Sequence, residues 1–237
     1  AISVNNPWYI DYYLLQTPQG KTTFEQYDNR GGTYLDSLST ILNQCRTEYF
    51  MYAWTKPVPL EIKDMIQARF PCILSDTNFG GLSEATLYQR KHDLCHGPKA
   101  DTLFRVTKQQ NKDLPDNYLI LDSLEYSPGY EGIPADLPIP TGIQLVASAE
   151  VFASNPQNES VLVVSFHNDA GETVHYLGAR FNLFCLPGSW GQVRQTIWLP
   201  SSALLHNRMK VYVWNKNREK LTIRNLSITA EAPVGKN

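Results

Sequence analysis

The sequence predicts two domains, a small βαβαβ unit with a parallel sheet over residues 1–107 and an all-β sandwich over residues 117–232. Three observations predict this division. Apolar stripes with the helical period occur only before residue 71, a polar segment (Thr107 to Asn117) interrupts the chain, and beyond it short alternating strands follow one another between turn signals. The order strand, helix, strand, helix, strand requires right-handed crossovers and a parallel sheet, whereas strands that recur every ten to fifteen residues or so suit two stacked sheets.

In the first domain Trp8 to Leu15 is aromatic and β-prone, and a polar loop follows it. Thr33 is the expected N-cap of a helix whose apolar stripe is Tyr34, Leu35, Leu38, Ile41, Leu42 and Cys45. Glu48 to Trp54 reads as a strand covered on both faces. Pro57 and Pro59 frame the next helix, with Ile62, Met65, Ile66 and Phe70 as its inner stripe and Pro71 as its stop. Cys72 to Ser75 and Glu84 to Arg90 complete the strands. Gly80-Gly81 reads as a turn between two of them, since no phosphate-binding fingerprint or Walker sequence accompanies it.

In the second domain Tyr118 to Leu121 opens the strands, a loop with four prolines spans Ser127 to Gly142, and strands follow at about 143–153, 161–168, 173–184, 192–199, 208–215 and 220–229. Met209, Val211 and Val213 alternate with Lys210, Tyr212 and Trp214, which gives this strand one aliphatic face and one aromatic, basic face. Asn215 to Lys220 is a polar tip suited to a hairpin. Leu221 and Ile223 lie on one parity and Leu226 and Ile228 on the other, so a bulge or a change of partner is expected around Arg224 and Asn225.

Net charge is −2, from 21 basic and 23 acidic residues, which excludes a general nucleic-acid binder. No apolar run is long enough to span a membrane, and the first residues lack the features of a signal peptide, as expected of a mature or trimmed extracytoplasmic piece and equally of a cytoplasmic protein. The four cysteines allow three complete pairings. His92, Cys95 and His96 invite a metal reading, but no second ligand pair accompanies them, and an exposed turn or a Cys72–Cys95 bridge is preferred. No metal or other cofactor is expected.

Ser189 to Pro200, Met209 to Asn215 and Leu221 to Leu226 together resemble the closing half of jelly-roll, galactose-binding-like carbohydrate-binding modules, in which a Trp opens a strand that ends in Leu-Pro. The resemblance covers the second domain and implies a jelly roll, glycan recognition and a core position for Trp190. Asn225 stands where an Asp of that family often helps to hold a structural calcium. The first half, through Tyr52-Ala-Trp54 and the Phe70-Pro71 helix stop, loosely resembles the soluble extracytoplasmic tail of bacterial membrane glycosyltransferases that use lipid-linked sugars.

The candidate sugar face comprises Arg194, Trp198, Lys210, Tyr212 and Trp214, because flat rings stack on pyranoses while nearby polar groups order the hydroxyls. The same face suits packing against the α/β half. His167 and His175 flank a turn and are expected to face one another across a hairpin. A glycoside-acting enzyme would need two close carboxylates from among Glu125, Glu131, Asp136 and Glu150, and a protein–protein assembly module would need an exposed apolar patch. A non-catalytic glycan-binding or structural domain outside the cytoplasm, in the periplasm or at the cell surface, is the preferred reading.

Overall fold

The computed structural model describes residues 2–4, 26–28, 34–54, 58–80, 82–90, 100–105, 118–137, 144–197 and 202–231. The expected strand at Trp8 to Leu15, Trp198 and the His92–Cys95–His96 cluster lie outside these residues. The chain forms two compact units, Ala1–Gly97 with Val234–Asn237, and Pro98–Pro233.

In the first unit β1 (Ile2–Val4), β2 (Gln26–Asp28), α1 (Tyr34–Gln44), β3 (Tyr49–Trp54), α2 (Leu60–Gln67), β4 (Cys72–Phe79) and β5 (Ser83–Gln89) follow in sequence. The apolar stripes of the helices do their expected work, for Leu38, Leu42, Ile62, Met65, Ile66 and Phe70 are buried with Phe50, Tyr52 and Tyr88 of the sheet. The sheet differs from a parallel βαβαβ unit. Its order is β2-β1-β3-β5-β4, with β1 parallel to β2 and β3, while β5 enters antiparallel between β3 and β4. A tight turn after β4, with Gly80 at φ +63°, folds β5 back on β4. A hairpin neighbour a few residues away pairs at a smaller loop-closure cost than a crossover partner, and the other edge of β5 pairs with β3. Cys72 is disulfide-bonded, while Cys45 and Cys185 are buried cysteines outside any disulfide.

The second unit adds β6 (Ala100–Arg105), β7 (Tyr118–Leu121), β8 (Tyr130–Gly132), β9 (Gln144–Ala153), β10 (Val161–His167), β11 (Thr173–Arg180), β12 (Trp190–Ile197), β13 (Arg208–Trp214) and β14 (Leu221–Glu231). β6 precedes the polar 107–117 segment yet pairs with β14, so the strands of this unit begin before the expected linker. One sheet runs β11-β10-β13-β8 and the other β12-β9-β14-β6, with β7 also on β14. Leu162, Val164 and Phe166 of β10 and Met209, Val211 and Val213 of β13 fill one side of the core. Leu145, Ala147, Val151, Val193, Ile223 and Ile228 fill the other, and all twelve are buried. β11 ends at Arg180, short of the expected 184, because Phe181, Leu183 and Phe184 are all buried, which a helical turn permits and a one-sided strand does not.

Two features of β13 and β14 matter for the site. Residues 215–220 do not close a hairpin: β13 and β14 belong to different sheets. Asn215 is fully buried at the crossing, where its side chain donates to the carbonyls of Leu124 (3.1 Å) and Glu219 (2.7 Å) and accepts from the Glu219 amide (3.2 Å). A polar residue that satisfies buried backbone groups reads in sequence like a solvent-facing tip. The parity switch in β14 is a bulge between Arg224 and Ser227, and the strand also changes partner there, from β7 to β6. Asn225 holds φ +56° and donates to Glu150 Oε1 at 2.7 Å.

The bulge is therefore testable. Asn225→Val forces a β-branched residue into a left-handed conformation and is expected to destabilise the unit by about 2–3 kcal/mol. Asn225→Gly keeps the left-handed conformation without steric cost but loses the Glu150 bond, and is expected to cost about 1 kcal/mol. Urea unfolding that ranks the two equally, or in the reverse order, contradicts the assignment.

Candidate functional site

The alternation of β13 places Met209, Val211 and Val213 inward and Lys210, Tyr212 and Trp214 outward, half-buried. Cross-strand register extends this outward face over β10, where Val161 pairs with Trp214, Val163 with Tyr212, Ser165 with Lys210 and His167 with Arg208. Across β10 lies β11, with Tyr176 opposite Ser165 and Gly178 opposite Val163. A Cβ at Gly178 would lie 2.9 Å from the Tyr176 hydroxyl, so glycine there lets the Tyr176 side chain extend over its own strand.

The stretch Glu125 to Gly129 runs beside the far end of β13. The Ser127 amide donates to the Val213 carbonyl (3.0 Å), the Val213 amide donates to Ser127 Oγ (2.9 Å), and the Asn215 amide donates to the Glu125 carbonyl (2.7 Å). Gly129 presses so close that a Cβ there would sit 2.0 Å from the Val211 carbonyl oxygen, and only glycine fits. This tethering puts Tyr126 over the outward face. Its ring packs edge-on against Tyr212 (centroids 5.7 Å apart) and near-parallel to Trp214 (6.4 Å, 21°). Tyr126 is 53% exposed and Tyr176 48%, so these rings are the accessible ones. Trp214 is held from several directions: its Nε1 donates to Glu125 Oε1 at 3.3 Å, and Lys216 Nζ lies 4.9 Å from its ring centroid.

Between these groups is a hollow of about 360 Å³ lined by Tyr126, Tyr130, Glu131, His167, Lys210 and Tyr212, among others. A second hollow, of about 200 Å³, shares His167 and Lys210 with it and adds Asp169, His206 and Arg208. Lys210 lies 3.6 Å from Glu131 Oε1. Ser165 Oγ and His167 Nε2 share a hydrogen bond at 3.0 Å. Burial pushes the Tyr212 and Tyr176 hydroxyls above the usual phenol range, so both remain neutral donor–acceptor groups at physiological pH.

Of the expected sugar-face residues, Lys210, Tyr212 and Trp214 are brought together. Arg194 is not with them: it lies on β12, in the other sheet, paired with Glu231 at 3.1 Å. Trp198 is outside the described residues. His167 and His175 do not face one another, because a register shift pairs His167 with Thr173 and sets His175 opposite Phe166. Trp190 is not a core residue. It is 39% exposed on the outer side of the other sheet, where it packs against Phe152 and Tyr118 and the Arg224 guanidinium lies 4.2 Å from its ring centroid. Tyr126 and Tyr176 were not among the expected site residues. The alternation of β11 could have suggested Tyr176, but no periodicity marks Tyr126.

Two of the expected carboxylates, Glu125 and Glu150, are engaged by cationic partners. Glu150 belongs to the other sheet. Its partial burial pushes its pKa up, but hydrogen bonds from Arg224 and Asn225 outweigh this and hold it below the ordinary range. Glu125 is likewise held low, chiefly by the Arg218 guanidinium at 2.7 Å and also by Tyr126 and Trp214. A general acid needs a shift in the opposite direction. Among the described residues no cluster of three metal-ligating side chains occurs, and no helix is long and apolar enough to cross a membrane.

No family model matches the chain, and no curated protein matches it either. Among solved structures it is similar to the CBM22-1 xylan-binding domain from Paenibacillus barcinonensis Xyn10C, at 10% identity over 59% of this chain and 85% of that one, with a TM-score of 0.31. It is also similar to the CBM22-1–GH10 modules of a Clostridium thermocellum xylanase complexed with xylohexaose (11% identity, 46% of this chain, 20% of that one, TM-score 0.28). A third similarity is to infectious bursal disease virus VP2 (10% identity, 64% of this chain, 36% of that one, TM-score 0.34).

The Glu125 cluster yields a prediction. A carboxyl with a depressed folded pKa contributes stability that is present above its unfolded pKa and is lost as pH falls through the folded value. NMR titration is expected to place the Glu125 midpoint below that of an ordinary glutamate, and Arg218→Ala should move it upward. A midpoint unchanged by that substitution contradicts the assigned cause.

Proposed function

We propose that the outward face of the β11-β10-β13-β8 sheet binds glycan chains without catalysing a reaction on them. The observation that carries this reading is the set of tyrosine rings of Tyr126, Tyr176 and Tyr212 beside a hollow lined by Glu131, His167 and Lys210. Rings of this kind stack on the apolar faces of sugars, and the polar lining offers donors and acceptors to their hydroxyls. The tethering of Glu125 to Gly129 along β13 fixes the rings before a ligand arrives, which lowers the ordering cost of binding. The disulfide at Cys72 favours a location outside the cytoplasm, since such bonds persist in oxidising compartments. In that setting the chain would serve as the sugar-recognising portion of a larger sugar-processing protein.

A glycan array tests this directly. The intact chain is expected to retain at least one oligosaccharide, and Tyr212→Ala combined with Tyr126→Ala to lose about tenfold or more in affinity with the circular dichroism spectrum unchanged. Trp190→Ala, on the other sheet, is expected to bind like the parent. Retention of full affinity by the double variant, or loss only in Trp190→Ala, would place the site elsewhere.

A further inference from the structure

The outward face is chemically polarised along β13. From one end to the other its outward residues are Trp214, Tyr212, Lys210 and Arg208, so aromatic rings give way to cations within a single strand. The cationic end opens into the 200 Å³ hollow, which is continuous in lining with the larger one through His167 and Lys210. Three separate elements bring basic or donor groups there: Arg208 and Lys210 from β13, His167 from the end of β10, and His206 from just beyond the helical turn Ser202–Leu205.

The turn after β10 contributes Asp169 to the wall and is held in place by its own hydrogen bonds. The Gly171 amide donates to the Asn168 carbonyl at 2.9 Å, and the Glu172 amide donates to Asn168 Oδ1 at 2.9 Å. Glu131 Oε1 is shared by Arg208 at 3.2 Å and Lys210 at 3.6 Å, so one carboxylate serves two cations. All three side chains are well exposed, at 64%, 38% and 50%. Ion pairs so exposed contribute little, and an incoming anion can share or replace Glu131 without a large cost. Arg and Lys beside imidazoles form a donor set matched to oxyanions.

We infer that this cationic end seats an anionic substituent, a uronic-acid carboxylate or a sulfate ester, of an oligosaccharide whose neutral rings lie along Tyr212 and Tyr126. The inference rests on the glycan reading of the face and gives it a ligand class and a direction: the chain enters with its charged sugar at the Arg208 end.

Calorimetric titration of the intact protein tests it. The probes are a galacturonate trimer against the same trimer with its carboxylates reduced to alcohols, and a sulfated galactan oligosaccharide against its desulfated parent. At least one acidic member is expected to bind about tenfold or more tightly than its neutral counterpart, with the advantage shrinking as salt rises. Arg208→Ala combined with Lys210→Ala should bring the acidic ligand down to the neutral affinity, and Tyr212→Ala should weaken both. The acidic member that shows the preference identifies the anion. Equal binding of acidic and neutral members, weakened alike by Tyr212→Ala, overturns the inference and leaves the sugar face standing. An acidic preference that survives the double substitution also overturns it, since the charge is then read elsewhere. Binding by none of the four overturns both readings.

Discussion

Strand β13 can offer only one of its faces to the core, and that choice decides where the candidate chemistry lies. With Met209, Val211 and Val213 buried against Leu162, Val164 and Phe166, the alternate side chains must point outward. A slip of one residue would bury Lys210 and expose three aliphatic side chains, at a cost comparable to the whole stability of a small domain. The register is fixed a second time at the end of the strand. There Asn215 satisfies buried carbonyls and Ser127 pairs with both backbone groups of Val213, so displacement would leave several polar groups without partners.

The outward face becomes a site through what is laid over it. β10 supplies a floor of buried Val161, Val163 and Ser165, and glycine at 129 and 178 allows backbone and rings to approach the sheet closely. Tyr126 then stands over Tyr212 and Trp214, anchored through its neighbour Glu125 to Trp214 and Arg218. The other sheet has an aromatic cluster of its own, but there Arg224 lies over Trp190 and is bonded to Glu150 and Tyr118, so its polar groups are engaged with one another. One face carries a hollow with polar lining, while on the other these polar groups engage one another.

Much of this was legible in the sequence where the signal is local. Alternation in β13 identified Lys210, Tyr212 and Trp214 as outward, and the parity change from Ile223 to Leu226 announced the bulge. What depends on distant partners was not legible. Arg194 has the parity of an outward residue, yet nothing in β12 says which sheet receives it. Trp190 was assigned to the core by resemblance, and its neighbours Phe152 and Arg224 are tens of residues away in the chain. The first unit shows the same limit. Helices α1 and α2 and strands β3, β4 and β5 stand near where the sequence put them, but β2 (Gln26–Asp28) lies in a stretch that reads as a polar loop, β1 (Ile2–Val4) has no signal of its own, and the entry of β5 between β3 and β4 is a matter of pairing, which no single segment encodes. Tyr126 was missed because an irregular stretch has no period to read.

The most direct test of the central claim is an amide NMR titration of the intact chain with soluble oligosaccharides, acidic and neutral. The largest shifts are expected on β10, β11, β13 and Glu125 to Gly132, with Trp190, Glu150 and Arg224 unmoved. Shifts concentrated on β12, β9 and β14 would contradict the account, as would none on β13 under conditions where calorimetry shows binding.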